Sequence, residues 1–124
     1  MPRIPSPAAD HDHDLVVVEA DGDLDMTRAP DFAIDLGLAL CKKPRAVIAD
    51  LTSVRLLSAA GLTALDRAHH HAEAVGSRLA VVAAHRSVLL PLALSGLDGV
   101  LTTFPDLPSA HAALTGLVGA GSAS

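Results

Sequence analysis

Short runs of β-branched and aliphatic residues alternate along this chain with segments whose apolar positions recur at helical spacing. Leu15-Val16-Val17-Val18 is short and β-branched and predicts a strand, punctuated by Asp21-Gly22. Residues 31–41 carry Phe32, Ile34, Leu36, Leu38 and Leu40 with Ala33 and Ala39 between them. Pro30 and Asp31 suit a first helical turn, and Pro44 follows the end, so a helix is expected there. Residues 46–51 read as a buried strand, and 52–57 as a short loop. Gly61, Ala64, Leu65, Ala68, Ala72 and Val75 then recur at helical spacing, with Ser58 as a plausible N-cap and Gly76 as the stop. Residues 78–83 predict a second buried strand, 87–94 a short helix ending near Gly96, and 100–104 a last strand. Pro108-Ser109 opens a final helix through Leu117, with Ala112, Ala113 and Leu114 expected to face inward. Strand and helix alternate four times, the signature of an α/β domain with a largely parallel sheet.

The ends read differently. Residues 1–14, with three prolines and alternating Asp and His, predict a flexible N-terminal arm, and 119–124 a frayed tail, which leaves 15–118 as the folded domain. A chain of 124 residues fits one core and not two. Phe32 and Phe104 are the only aromatic residues, so the core is aliphatic and the stacking surfaces used on single-stranded nucleic acid are missing. A formal net charge of −5, with Lys and Arg scattered among acids, argues against a phosphate backbone as partner. The longest nearly apolar stretch, residues 88–97, is too short to insert in a membrane. Cys41 is the single cysteine, expected as a buried thiol; it excludes an internal disulfide and suits a reducing compartment. With no basic-then-apolar start, a cytoplasmic location is expected.

Motifs for catalysis are missing. There is no phosphate-binding glycine loop, no dinucleotide fingerprint and no nucleophile elbow. Asp23, Asp25 and Asp50 could converge at strand ends, but no second component of a phosphoryl-transfer site accompanies them, so no enzyme, cofactor or metal site is expected. His69-His70-His71 falls on a helix, where neighbours point about 100° apart. His69 is expected to border the core and the other two to be solvated. The junction at Ser58-Ala59-Ala60-Gly61 is the stronger candidate, because a helix N-terminus presents unpaired N–H groups to a partner.

At this junction the residues resemble a family. Gly22-Asp23-Leu24-Asp25 followed by Ala29 is similar to the G-E-L-D-x-x-x-A segment of the STAS domain, the fold of bacterial anti-sigma factor antagonists. Asp50-Leu51-Thr52-Ser53-Val54-Arg55-Leu56-Leu57-Ser58-Ala59-Ala60-Gly61-Leu62, with Leu65, resembles its D-L-S-x-V-x-F-[IL]-D-S-[ST]-G-L-x-x-L signature. Gly76, Leu79, Val81, Val82, Val88, Leu92, Gly96 and Leu97 follow at the family's spacing. The resemblance implies a STAS (SpoIIAA-like) fold: a mixed, mostly parallel sheet of 4–5 strands packed with 4 helices, whose first edge strand would precede Leu15.

It also implies a protein-binding switch. The expected partner is an anti-sigma factor with a GHKL-type ATPase/kinase fold, bound by Asp25, Thr27, Arg28, Thr52, Ser53, Arg55, Ser58, Ala59, Ala60 and Leu62. Regulated members are phosphorylated on a serine whose place here is taken by Ala59, so the usual serine switch is expected to be lost, Ser58 being the one substitute hydroxyl. Monomer or weak homodimer is expected. Two other roles of the fold remain open: accessory subunit of an ABC lipid transporter, and ligand sensing.

Overall fold

The computed structural model describes the backbone of residues 15–123 and the side chains of residues 15–115. The expected arm, residues 1–14, and any edge strand before Leu15 lie outside the described residues, as do the side chains of the expected tail. Four strands form one sheet: β1 (Leu15–Leu24), β2 (Ala46–Leu57), β3 (Arg78–Val82) and β4 (Thr102–Phe104), in that spatial order. Every described pairing is parallel. The helices are α1 (Ala29–Cys41), α2 (Ala59–Val75), α3 (Arg86–Ser95) and α4 (Leu107–Ala123), with a 3-10 turn at Leu97–Gly99. The expected α/β architecture and its helix count therefore hold, and the described sheet is wholly parallel rather than mixed.

Two expected boundaries are wrong in an informative way. The chain does not leave the sheet at Asp21-Gly22, nor loop out over residues 52–57; both stretches pair with each other as the second halves of β1 and β2. Gly22 sits at φ +67, a left-handed conformation that glycine adopts without a Cβ penalty. The register shifts twice, between Glu19 and Asp21 and between Gly22 and Asp23, each time setting one extra residue of β2 against β1. Thr52 and Ser53 turn outward together, then Arg55 and Leu56, so Leu51, Val54 and Leu57 face inward at every third residue.

The sheet is buried on both faces, as parallel sheets are. On one, Val47, Ala49, Leu79 and Val81 pack with Phe32, Leu36 and Leu40 of α1, Leu65, Ala68 and Ala72 of α2, and Val88 and Leu92 of α3. On the other, Ala46, Ile48, Ala80 and Val82 meet Ala110 and Leu114 of α4. Helical periodicity separates the buried apolar residues of α1 from the exposed ones. Phe32, Leu36, Ala39 and Leu40 share one stripe, whereas Ile34 and Leu38 fall on the opposite side and are 59% and 62% exposed. Likewise Ala110 and Leu114, four residues apart, turn inward; Ala112 is exposed and Ala113 half-buried, contrary to the expectation. Cys41, expected as a buried thiol, is exposed at the end of α1.

Local chemistry fixes the helix ends. The Asp25 carboxylate accepts from the backbone N–H groups of Thr27 and Arg28 (3.0 and 3.1 Å) and turns the chain into α1. Gly76 ends α2 in a left-handed conformation (φ 78), its N–H and that of Ser77 bonding back to Glu73 and Ala72 carbonyls. Gly96 does the same after α3 (φ 83), which runs through Pro91.

Candidate functional site

The C-terminal ends of β1 and β2 meet at Leu24 and Leu57, which pair in register and are almost fully buried. From this buried pair the chain turns outward into α2. Ser58 caps that helix as expected: its Oγ accepts from Gly61 N–H at 3.4 Å. The same hydroxyl donates to the Leu24 carbonyl at 2.6 Å, and Ser58 N–H reaches that carbonyl at 3.1 Å. The first turn of α2 is thus fastened to the end of β1 across thirty-four positions of sequence. Gly61 makes the fit possible. A Cβ there would sit 2.6 Å from Leu57 Cδ1 and 3.1 Å from the Leu24 carbonyl oxygen.

This clamp brings together two of the three predicted groups. Asp25, Thr27 and Arg28 occupy the turn after β1, and Ser58, Ala59, Ala60 and Leu62 the opening of α2 beside it. Ala59 is the first helical residue and is exposed; Ala60 and Leu62 are half-buried. Arg28 forms an exposed ion pair with Asp21 at 2.7 Å. The third group, Thr52, Ser53 and Arg55, lies on the outward pairs of β2. Thr52 Oγ1 donates to the Asp50 carboxylate (2.5 Å), which also accepts Thr52 N–H (3.0 Å). The Arg55 carbonyl accepts from Ser87 Oγ at 2.6 Å and ties β2 to the start of α3.

Asp23, Asp25 and Asp50 do not converge. Asp50 pairs with Glu19, four strand residues and about 13 Å from Asp23. Asp50 instead borders a separate concavity of about 280 Å³ with Glu19, Asp21 and Ser53. Such a carboxylate-lined hollow repels phosphate ligands. Among the described residues no group of three or more His, Cys, Asp or Glu side chains is placed to hold a metal. His69 is mostly buried and lies 3.6 Å from Glu73; His70 is exposed; His71, expected in solvent, is half-buried. No helix among the described residues is long and apolar enough to cross a membrane.

The periodicity of the chain did not point to Met26, which is 80% exposed beside the start of α2. It borders an apolar groove between α1 and α2. A methionine flanked by Asp25 and Thr27 breaks the polar run of that turn and was the available signal.

A scan against family models matches the STAS domain over residues 6–110. Among solved structures, the chain is similar to an anti-sigma factor antagonist from Mycobacterium paratuberculosis, with 29% identity over 80% of this chain and 84% of that one, at a TM-score of 0.74. It is also similar in fold to the STAS domain of a SulP transporter from Vibrio cholerae (19% identity, 86% and 85% covered, TM-score 0.71). The anti-sigma factor antagonist SpoIIAA in its unphosphorylated form has 17% identity, with 82% and 89% covered and a TM-score of 0.71. A comparison with curated proteins finds no match.

Proposed function

The chain belongs to the STAS domain family, and on that footing we propose that it acts as an anti-sigma factor antagonist, binding its partner at the opening of α2 without a serine switch. The observation that carries this reading is the state of Ala59: it is exposed, opens the helix and stands where the family's phosphoacceptor would be. Alanine offers no hydroxyl to a kinase. Ser58 does not take over the role, because its hydroxyl is half-buried and engaged with the Leu24 carbonyl and Gly61 N–H. The 29% identity to an anti-sigma factor antagonist supports the class of partner. In this reading the chain acts by binding and not by catalysis. It meets an anti-sigma factor with a GHKL-type ATPase fold in the cytoplasm, and competition for that factor controls transcription.

The test is calorimetry of the full chain with the anti-sigma factor encoded in the same genome. Wild type binds, and incubation with ATP adds no phosphate to it by mass spectrometry. Ala59→Asp sets a carboxylate where a phosphate would stand and abolishes binding. A carboxylate in a first helical turn faces the positive end of the helix and favours folding, so the loss is not a loss of structure. Unchanged affinity in Ala59→Asp overturns the reading.

A further inference from the structure

Beside Ala59 runs an apolar groove that the predicted contact residues reach only at Ala60. Met26, Pro30, Ala33, Ala60 and Ala64 line it around a cavity of about 340 Å³, with Thr63 and Arg67 as its polar members. The walls come from α1 and the turn before it on one side and from the first turns of α2 on the other. Small alanines on both helices keep the groove open. Met26 contributes a flexible, polarisable side chain suited to moulding itself around an incoming group.

Charge on α1 is divided between its two sides. Asp31 and Asp35 border a different concavity, with Glu19, Asp21 and Arg28, where the guanidinium of Arg28 already meets a carboxylate. The groove side carries no acid. Arg67 is exposed, and none of the ion pairs among the described residues involves it. Asp66, the acid next to it in sequence, faces His70 at 3.7 Å. An apolar trough with one uncompensated cation in its lining is complementary to a segment with an apolar side chain and a carboxylate beside it.

Resting on the reading of α2 as a partner-binding site, we infer that the α1–α2 groove seats an apolar side chain of the protein partner while Arg67 pairs with a partner carboxylate. Arg67 is then a specificity-determining contact, and Met26 the groove's adaptable wall. The pairing accounts for recognition by an interface whose own helix opening is neutral at Ala59 and Ala60.

The test uses the full chain and the same anti-sigma factor, titrated at low and high salt. Met26→Glu and Arg67→Glu each weaken binding about tenfold or more, and Arg67→Glu also flattens the salt dependence. Arg78→Glu makes the same charge change at the start of β3, at the opposite end of the sheet, and leaves affinity unaltered. All three sites are surface positions, and equal melting temperatures exclude unfolding as the cause. Arg67→Gln separates loss of the cation from charge repulsion and gives a smaller loss. If Ala59→Asp abolishes binding while Met26→Glu and Arg67→Glu retain it, the groove inference falls and the site reading stands. If Arg67→Glu and Arg78→Glu weaken binding equally, net charge is responsible and the inference falls. If wild type does not bind the anti-sigma factor, both fall together.

Discussion

Replacing Gly61 by alanine tests the clamp that joins α2 to β1. The added Cβ would lie 2.6 Å from Leu57 Cδ1, 3.1 Å from the Leu24 carbonyl oxygen and 3.2 Å from Leu24 Cβ. Carbon atoms in contact prefer about 3.5–4.0 Å, so the Leu57 methyl must move by roughly 1 Å. Leu57 is 3% exposed and Leu24 1%, so that shift is made against packed neighbours. The carbonyl oxygen cannot give without stretching the two bonds it accepts from Ser58. Overpacking costs about 1–3 kcal/mol, and three such contacts at once, one of them to backbone, place this case in the upper part of that range, about 2–3 kcal/mol. Alanine returns at most about 1 kcal/mol of helix propensity. The net is a destabilisation of about 1–2 kcal/mol, and each kcal/mol lowers the melting temperature of a domain this size by roughly 4–8 °C. The chain has no Trp or Tyr, so far-UV circular dichroism or calorimetry is the assay. Gly37→Ala is the counter-case: nothing stands within 4 Å of its Cβ position inside α1, and the variant gains up to about 1 kcal/mol. A Gly61→Ala variant as stable as wild type, or both variants shifting the same way, refutes the reasoning.

Three further outcomes follow from single contacts. Ser58→Ala removes the cap of α2 and the bond to Leu24, and costs about 1–2 kcal/mol in urea denaturation. Thr103 Oγ1 is buried without a hydrogen-bond partner among the described residues, so Thr103→Val in β4 is neutral or stabilising by about 1 kcal/mol in the same assay. The Asp106 carboxylate is held below the ordinary aspartate range by hydrogen bonds from Ser109, chiefly the side chain and then the backbone N–H at the start of α4. A pKa depressed by folding contributes stability above the unfolded value that is lost as pH falls through the folded one. Carboxyl NMR titration therefore finds a midpoint for Asp106 below that of free aspartate, and Ser109→Ala raises it.

The strand and helix alternation was legible because most elements keep one period throughout. Val47, Ile48 and Ala49 form an unbroken apolar run, and Ala64, Leu65, Ala68 and Ala72 keep helical spacing between Ser58 and Gly76, so β2's first half and α2 are plain in the sequence. The second half of β2 was not, because Leu51, Val54 and Leu57 recur every third residue, a spacing that belongs to neither regular strand nor helix. The extra residues responsible are visible only once β1 is laid alongside. In α1 every second residue from Phe32 to Leu40 is apolar, which hides the true inward stripe among exposed Ile34 and Leu38. At the site, the opening of α2 could be read from Ser58 and Gly61. The groove could not, since Met26, Ala33 and Arg67 come from three stretches that only packing joins.

The paired outward residues of β2 have a consequence for how this chain can change length. Where two residues face one on the neighbouring strand, either can be deleted and the pairing reverts to one against one. Thr52 and Arg55 have no β1 partner of their own, and Val54 and Leu57 would stay inward after loss of either. A deletion within residues 46–50, where pairing with β1 is one to one, would instead turn the core side chains toward the wrong face. Tolerance to a change of length is thus channelled to the stretch just before α2, where losing a residue redraws the surface while the core keeps its register.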